Sequence, residues 1–411
     1  MISHAAASVD FRLALRNILR QRRRSLTAVA AIGFGVIAMM LASGYIEWIF
    51  WQNRELATNR QFGHVQVVKP GYYEEGRSDP YAYVIKDDPA VLEALRGLEG
   101  VNQVSPRLAF SGLLSRGEST LSFLAEGIDP THDPLARNLI ITQGTPLDAG
   151  QPDGILVGSG LAMNLGIQSG DTVVLLTNTP SGGINAVEAR VLGLASTSIK
   201  SLDDVMLRVN IDMARRLLRV EGSHVWTVTL KDTDLTEDAL ETLGADPRLK
   251  GYEIVPWSRL ADFYNKTVAL FSRQIGVVKL IIALIIVLSI SNTMTMSVME
   301  RTVEIGTAMA LGVRRQRILR LFLMEGVLLG AIGGTLGMVL GYGLAEIISA
   351  IGIPIPAPPG FSGTFMGAII LTPSLLAQAA LLAVSTTLIA SIYPAWRASR
   401  LVIVDALRHN R

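Results

Sequence analysis

The sequence predicts an α-helical membrane protein with four transmembrane helices and one large extracytoplasmic α/β domain, inserted between the first and second helices. Two observations predict this fold. Of the 411 residues, 49% are apolar and 18% are charged, which is too apolar for an ordinary soluble protein and too charged for one buried wholly in lipid. The apolar residues are also concentrated in four long runs, and more than half of the chain separates the first run from the second.

The chain starts with a basic segment, residues 1–25, whose pattern FRLALRNILRQRRR predicts an amphipathic cytoplasmic helix. The first apolar run, residues 26–49, follows directly. About 20 helical residues suffice to cross a hydrocarbon layer of ~30 Å, so this run predicts the first transmembrane helix. A cleaved secretory signal is the alternative interpretation, but the run is longer than the ~7–15 apolar residues of such signals.

Three further apolar runs predict the other transmembrane helices, at residues 273–299, 321–351 and 372–394. The last run has its own boundary signals. Thr372 suits the N-cap, Pro373 suits the first helical position, and Pro394 predicts the end of the helix. The preceding residues 352–371 are predicted to form a short loop.

Arginine placement predicts the orientation, because basic residues beside membrane spans favour the cytoplasm. Arginines crowd residues 1–25, 300–320 and 395–411, whereas the loop 352–371 carries no charge. We therefore expect both termini and the 300–320 loop to be cytoplasmic, and residues 50–272 to lie outside.

Residues 50–272 alternate between strand-like and helix-like segments, which predicts an α/β domain of one or two subdomains. PAVLEALRGL predicts a helix, LLSRGESTLSFLAEGID a hairpin and INAVEARVLGLAS a pair of strands. GSGLAMNLG predicts a short helix between strands. Because the chain has no cysteine, packing rather than disulfide bonds is expected to stabilise this domain.

Motifs for catalysis are not found in the sequence. It contains no phosphate-binding loop, no nucleophile elbow, and no metal-ligand spacing among its five histidines. We therefore expect no enzyme and no cofactor on this chain. The net charge of +2 gives no argument for a nucleic-acid partner.

Residues 292–320 pass from an apolar run into a basic helical segment. Ile305, Ala308, Leu311 and Val313 recur near helical spacing among charged residues, which predicts an amphipathic helix at the membrane surface. Such a helix can lie on lipid headgroups or contact a cytoplasmic protein, and composition alone leaves both interpretations open.

Three other features lie in the apolar runs. Glycines at four-residue spacing predict close helix packing, with ordinary membrane-helix composition as the alternative. These packing residues are Gly326, Gly330, Gly334, Gly337 and Gly341. Met39, Met40 and Met294 are candidates for an adaptable substrate cavity, although methionine more often fills a core. Glu325 requires an arginine partner or a position among the headgroups.

Four segments, in the same order along the chain, resemble the ABC transporter permeases of the FtsX, MacB and LolC/LolE superfamily. They are LALRNILRQRRRSLTAVAAIGFGV, ILVGSGLAMNLGIQSGDTVVLL, NTMTMSVMERTVEIGTAMALGVRRQRILRLFLMEGVLLGAIGGTLG and YPAWRASRLVIVDALR. The second segment and GHVQVVKPGYYEE are most similar to the lipoprotein-releasing LolC/LolE branch. The resemblance implies a MacB-like periplasmic domain and a location in the bacterial inner membrane.

The resemblance also implies partners. Such permeases pair with a second permease, identical or homologous, and with two cytoplasmic ATPase subunits that hold ATP and magnesium. ATPase closure then moves the periplasmic domains, which is called mechanotransmission. Further expected partners are membrane lipid and a periplasmic carrier or adaptor protein.

A coupling helix at about residues 302–311 is implied to contact the ATPase through small and apolar residues with flanking charges. The residues expected there are Glu300, Arg301, Glu304, Ile305, Gly306, Ala310, Leu311, Gly312 and Arg315. Val303 and Met309 stand where many relatives have basic residues, so this coupling surface is less basic.

Lipoprotein release from the inner membrane is the first functional hypothesis. MacB-like export of a periplasmic small molecule or peptide is the second, and FtsX-like control of a cell-wall hydrolase without transport is the third. A membrane sensor without an ATPase is the fourth.

Overall fold

The computed structural model describes residues 12–20, 22–76, 78–133, 139–197, 199–356 and 364–403. The chain forms two compact units. The first, here called the membrane unit, comprises Met1–Phe50, Val268–Pro354 and Met366–Arg411. The second, here called the inserted domain, comprises Trp51–Thr267 and Ile355–Phe365.

The helices and strands alternate through the inserted domain, whereas the membrane unit is mostly helical. In chain order the helices are α1 (residues 12–20), α2 (Arg22–Ala57), α3 (Tyr72–Glu75), α4 (Pro89–Arg96), α5 (Ser159–Leu165), α6 (Lys200–Asp203), α7 (Ile211–Leu218), α8 (Thr236–Ala245), α9 (Trp257–Leu260), α10 (Asp262–Glu300), α11 (Thr302–Ala310), α12 (Arg315–Ile351) and α13 (Pro373–Ser399). The strands are β1 (Val65–Val68), β2 (Val101–Arg116), β3 (Ser119–Ile128), β4 (Ile140–Gly144), β5 (Gly154–Gly158), β6 (Thr172–Asn178), β7 (Ile184–Ser196), β8 (Met206–Asn210), β9 (Val225–Leu230), β10 (Glu253–Pro256), β11 (Ile353–Pro356) and β12 (Thr364–Gly367).

Four helices of the described residues, α2, α10, α12 and α13, are long and apolar enough to cross a membrane. The predicted fold class is therefore confirmed. Thr372 caps α13 as predicted, since its hydroxyl accepts a hydrogen bond from the Leu375 N–H at 3.2 Å. The prediction that Pro394 ends this helix is wrong, because α13 continues to Ser399. Proline removes one backbone donor from a helix but does not always stop it.

Glycines of α12 lie against helices on two sides. Gly326 and Gly330 lie against Ser391 and Thr387 of α13, and Gly334 lies against Ala383 of the same helix. On the other side a Cβ at Gly337 would be 2.8 Å from the carbonyl oxygen of Gly33 in α2, and Gly341 faces Met40. The five predicted packing glycines thus lie at two helix contacts, which the sequence pattern did not separate.

The three methionines predicted to line a cavity lie in the apolar core of the membrane unit instead. Met39 is 1% exposed, Met40 is 0% exposed and Met294 is 2% exposed, and all three pack with residues such as Ile290 and Phe322. Unbranched methionine fills irregular core space well. The structure therefore gives them the packing role that was the alternative interpretation.

The inserted domain is built on one ten-stranded sheet with the order β10-β1-β9-β2-β3-β8-β5-β7-β4, in which β6 pairs with β2 and β7. The predicted hairpin is confirmed, because Arg116 pairs with Ser119 across a turn that contains Gly117 at φ +58. The predicted strand pair at INAVEARVLGLAS is wrong. These residues form the single strand β7, whose residues pair with β4, β5 and β6.

The two largest apolar clusters of the described inserted domain pack on this sheet. Helices α5 and α7 contribute Leu161 and Leu217 to one core, which also contains Phe123. Helices α4 and α8 contribute Leu95 and Leu243 to the other, which contains Trp226. The strand β2 pairs with β9 in one core region, and with β3 and β6 in the other. The two regions therefore share one continuous sheet.

A buried ion pair lies in the inserted domain. Arg107 donates to Asp133 through Nε at 3.0 Å and Nη2 at 3.2 Å, and the Asp133 side chain is 0% exposed. Arg107 Nη1 also donates to the carbonyl oxygen of Gln61 at 3.1 Å, in the π-helical turn Thr58–Phe62 that follows α2. A two-bond pair of this kind fixes geometry as well as charge. The third bond of Arg107, to Gln61, attaches the π-helical turn to β2.

His64 lies in the same domain and is neutral in the folded protein. Its Nδ1 accepts a hydrogen bond from the Leu230 N–H at 3.1 Å, so the proton is on Nε2, which donates to the Thr233 hydroxyl at 3.0 Å. Burial lowers the pKa of His64 from 6.5 to about 4. Protonation of Nδ1 would remove the bond to Leu230.

We predict that acid destabilises the inserted domain through His64. Because the folded pKa lies below the unfolded one, the stability is complete above pH 6.5 and is lost as pH falls towards 4. The slope from one such group reaches at most about 1.4 kcal/mol per pH unit. Unfolding of the full chain in detergent, followed by tryptophan fluorescence at several pH values, measures this slope.

The control for this measurement is His64→Asn, because burial also lowers the pKa of His224. The Asn variant retains the His224 contribution and loses that of His64, so its free energy of unfolding should depend less on pH between 6.5 and 4. Equal slopes in the two proteins would contradict the prediction.

Candidate coupling site

The predicted coupling helix is α11, a short helix between α10 and α12. Its end is set by Gly312, whose φ of +92 favours glycine. The N–H of Gly312 donates to Met309 O at 3.0 Å, and the N–H of Val313 donates to Ala308 O at 3.1 Å. These two bonds form a Schellman motif, which satisfies carbonyls left free at a helix end. Gly312 therefore ends the helix, a role that the sequence analysis did not assign.

One side of α11 is turned into the membrane unit. Ile305 is 6% exposed, Met309 is 8% exposed, and Gly306 and Thr302 are also buried. Ile305 and Met309 belong to the same apolar core as Phe322 of α12. The resemblance assigned Ile305 and Gly306 to ATPase contact, but both are buried in the structure, and Ile305 belongs to the apolar core of the membrane unit. The apolar residues at helical spacing in α11 thus reflect packing within the membrane unit.

The opposite side of α11 and the residues after it are exposed. Glu304, Ala310, Gly312 and Arg315 are exposed, and Leu311 is 83% exposed. A large apolar side chain that is exposed among charged residues can contact membrane lipid, or the protein partner that the resemblance implies. Leu311 is therefore the residue of this surface with the most apolar area available for contact.

Ion pairs connect this region to the start of the chain. Arg20 of α1 lies 3.0 Å from Glu304, and Arg24 of α2 pairs with Glu300. The Arg20 and Glu304 side chains are 74% and 49% exposed, so their pair contributes at most about 1 kcal/mol. Sequence reasoning missed Arg20 and Arg24 as neighbours of α11, since their arginine-rich surroundings indicated only membrane orientation.

Arg301 makes the buried connection of the site. Its Nη1 lies 3.4 Å from Glu325 Oε2, and its Nε lies 3.5 Å from Glu304 Oε2. The guanidinium also lies over the Phe322 ring, 5.4 Å from its centroid. The expectation that Glu325 has an arginine partner is confirmed. Since both charges are largely buried, loss of either partner would leave an uncompensated charge, and the pair fixes α11 relative to α12.

The arrangement offers an exposed surface on which a partner can dock. In the described part of the chain, no group of three His, Cys, Asp or Glu side chains is close enough to hold a metal ion. What the site offers is a short helix with a fixed inner side, a fixed C-terminal end and an exposed leucine among charges.

Two protein-family models match the chain. A model described as the MacB-like periplasmic core domain matches residues 25–245, which is more than half of the chain, and one described as the FtsX-like permease C-terminal matches residues 276–403. The chain belongs to the MacB/LolC family of ABC transporter permeases. It is a membrane permease with a periplasmic domain, and the inserted domain is that periplasmic domain.

Several relatives of this permease have curated names. The lipoprotein-releasing system transmembrane protein LolC of Xylella fastidiosa is 27% identical over 73% of this chain and 76% of its own length. The macrolide export ATP-binding/permease protein MacB of Hyphomonas neptunium is 28% identical over 99% of this chain, which spans 61% of that relative. An uncharacterized ABC transporter permease of Methanocaldococcus jannaschii is 26% identical over 82% of this chain and 84% of its own length.

Among solved structures, the periplasmic region of MacB from Actinobacillus actinomycetemcomitans is similar to the permease. The match has 15% sequence identity and a TM-score of 0.37, and it covers 52% of this chain and 95% of that chain.

Proposed function

We propose that this permease couples ATP hydrolysis, carried out by a separate cytoplasmic ATPase, to movement of its periplasmic domain. The observation that carries the proposal is Leu311 at the end of α11, which is 83% exposed in a segment where Glu304 and Arg315 are also exposed. An apolar anchor with charges around it suits a protein interface, in which the charges set the register of the partner. The internal packing of Ile305 and Gly306 would transmit force from α11 to the other helices.

The arginine distribution supports a cytoplasmic position for α11, because basic residues beside membrane spans favour that side. Both termini lie on this side in the proposal, in the inner membrane of a bacterium. Two ATPase copies bind ATP and magnesium there, and a second permease, identical or homologous, completes the dimer. The Xylella relative supports the presence of separate components, since its name calls it the transmembrane protein of a releasing system.

Lipidated substrates are the proposed cargo, released from the inner membrane towards a periplasmic carrier. The name of the LolC relative, which matches this chain along 76% of its own length, supports this choice. MacB-like export of a small molecule or peptide through an adaptor is the second candidate, because a relative named for macrolide export aligns with 99% of this chain. FtsX-like control of a wall hydrolase stays a prediction without a specific structural observation.

The test is purification of the tagged full chain from its host membranes, followed by identification of bound proteins and an assay of release. We expect a copurifying ATPase with a phosphate-binding loop, and ATP-dependent transfer of a membrane lipoprotein to the soluble fraction. Leu311→Asp places a charge at the centre of the proposed contact. It should lower ATPase association at least tenfold, which corresponds to about 1.4 kcal/mol.

The matched control is Met163→Asp, since Met163 in α5 is 81% exposed and lies in the periplasmic domain. It should leave ATPase association unchanged. Normal association of the Leu311→Asp protein would refute the coupling proposal. ATP hydrolysis with no lipoprotein release, but with bound adaptor protein and efflux of a small molecule, would favour the second candidate.

A further inference from the structure

A groove of about 420 Å³ lies in the membrane unit, where α10, α11 and the end of α13 come together. Its lining residues lie in two of the segments that resemble the permease family, but the sequence analysis gave this groove no role. The residues proposed to contact the ATPase do not line it. Its lining residues are Thr295, Val298, Met299, Thr302, Pro394, Trp396, Arg397, Arg400, Leu401 and Val402.

The groove has one apolar part and one basic part. Val298 is 4% exposed, and with Met299 and Leu401 it gives the groove an apolar wall. The basic part consists of the exposed Arg397 and Arg400. Among the described residues, no acidic side chain lies within 4.0 Å of either guanidinium, so both charges are available to an anion.

Trp396 orients one of these arginines. The Arg400 guanidinium lies over the Trp396 ring, 4.7 Å from its centroid. Such cation–π contacts hold a guanidinium in place while its N–H groups remain free to donate. Arg400 therefore presents donors at the groove with less conformational freedom than an isolated surface arginine.

The groove lies at the level where two helices leave the hydrocarbon layer. From Ser374, α13 reaches Trp396 after about 33 Å at ~1.5 Å per residue, close to the ~30 Å thickness of the hydrocarbon. The α10 helix reaches its last charged residue, Glu300, beside the same groove. Tryptophan and arginine at a helix end are typical of the headgroup region. A ligand of this groove would thus meet it from the membrane surface.

We propose that the groove binds one anionic phospholipid. Its phosphate accepts hydrogen bonds from Arg397 and Arg400, and its glycerol and upper acyl segments contact Val298, Met299 and Leu401. Guanidinium–phosphate bonds are charge-assisted, and a headgroup with no cation of its own adds no repulsion towards the two arginines. A volume of 420 Å³ lies within the range of about 300–1,000 Å³ of small-molecule sites. The site does not depend on the proposed ATPase contact.

Lipid binding is tested with the full chain in nanodiscs. The nanodiscs contain equal amounts of phosphatidylglycerol and phosphatidylcholine. Native mass spectrometry after gradual delipidation counts the retained lipids. We expect one phosphatidylglycerol per chain to persist longest in the wild type. Arg397→Gln combined with Arg400→Gln should lower phosphatidylglycerol affinity at least about tenfold and leave phosphatidylcholine unchanged.

Two further variants separate this site from general surface charge and from simple loss of fold. Arg22→Gln combined with Arg23→Gln removes the same charge from exposed positions outside the groove, and it should retain the lipid. Met299→Trp leaves both arginines but fills the groove, and it should lose the lipid. Excess inorganic phosphate should not displace phosphatidylglycerol, since phosphate lacks the apolar part.

Several outcomes would overturn the proposal. They are equal loss of lipid in the two double-arginine variants, equal retention of phosphatidylcholine, displacement by phosphate, and unchanged phosphatidylglycerol in the Arg397→Gln/Arg400→Gln protein. If that protein keeps its lipid but no longer binds its ATPase, the groove is a protein-docking surface instead.

Discussion

Replacement of Asp133 by alanine is expected to lower the free energy of unfolding by about 3–5 kcal/mol. The Asp133 side chain is 0% exposed and accepts two hydrogen bonds from Arg107, whose own side chain is 5% exposed. Without Asp133 the arginine stays buried with its bond to the Gln61 carbonyl oxygen and with a more distant carboxylate, that of Glu126, at 3.8 Å. Urea unfolding of the full chain in detergent, followed by tryptophan fluorescence, measures the loss.

Two comparisons make this result specific. Asp153→Ala removes the partner of Arg216 from a pair that is 61% and 60% exposed, and should cost no more than about 1 kcal/mol. Arg107→Met combined with Asp133→Leu removes both buried charges, and should be more stable than Asp133→Ala alone. If Asp133→Ala lowers the free energy of unfolding no more than Asp153→Ala does, the buried pair stabilises the fold no more than an exposed pair.

Gly337→Leu is expected to destabilise the membrane unit by about 3 kcal/mol, at the upper end of usual overpacking costs. The Cβ alone would lie 2.8 Å from Gly33 O and 2.9 Å from Gly33 Cα, so the backbone of α2 would have to move. Backbone atoms cannot rotate away as the end of a flexible side chain can. Denaturation of the purified full chain in mixed detergent, with loss of helical circular dichroism as the readout, measures the effect.

The control is Gly343→Leu, in the same helix. A Cβ at Gly343 would have no heavy atom within 4 Å, and leucine favours a helix more than glycine does. This variant should be as stable as the wild type or slightly more stable. Similar destabilisation by the two changes would show that glycine content, rather than contact with α2, explains the effect at Gly337.

The fold class followed from the sequence because long apolar runs and basic flanks are local signals. The hairpin at Gly117 was equally local. The predictions that were wrong concern features that depend on tertiary contacts. The segment 184–196 looked like two strands, but its pairing with three other strands keeps it extended as one. Pro394 looked like a helix end, yet it lies buried within α13.

The candidate coupling site shows the same difference between local signals and tertiary contacts. The family resemblance placed the helix at about residues 302–311, and α11 covers Thr302–Ala310. It did not show which side of the helix faces inwards. Ile305 and Leu311 are both apolar, yet one is 6% exposed and the other 83%. That difference depends on where α12 packs, which a pattern of residue types alone does not give.

The ion pair between Arg24 and Glu300 joins residues 276 positions apart. Contacts of this separation form late, because the loop between them must first be made and closed. During synthesis α2 exists before α10, α12 and α13, and the larger part of the inserted domain, Trp51–Thr267, also precedes α12 and α13. Domains generally fold as units. The order of the chain therefore favours a sequence of assembly in which most of the inserted domain folds before the helix contacts of the membrane unit are complete.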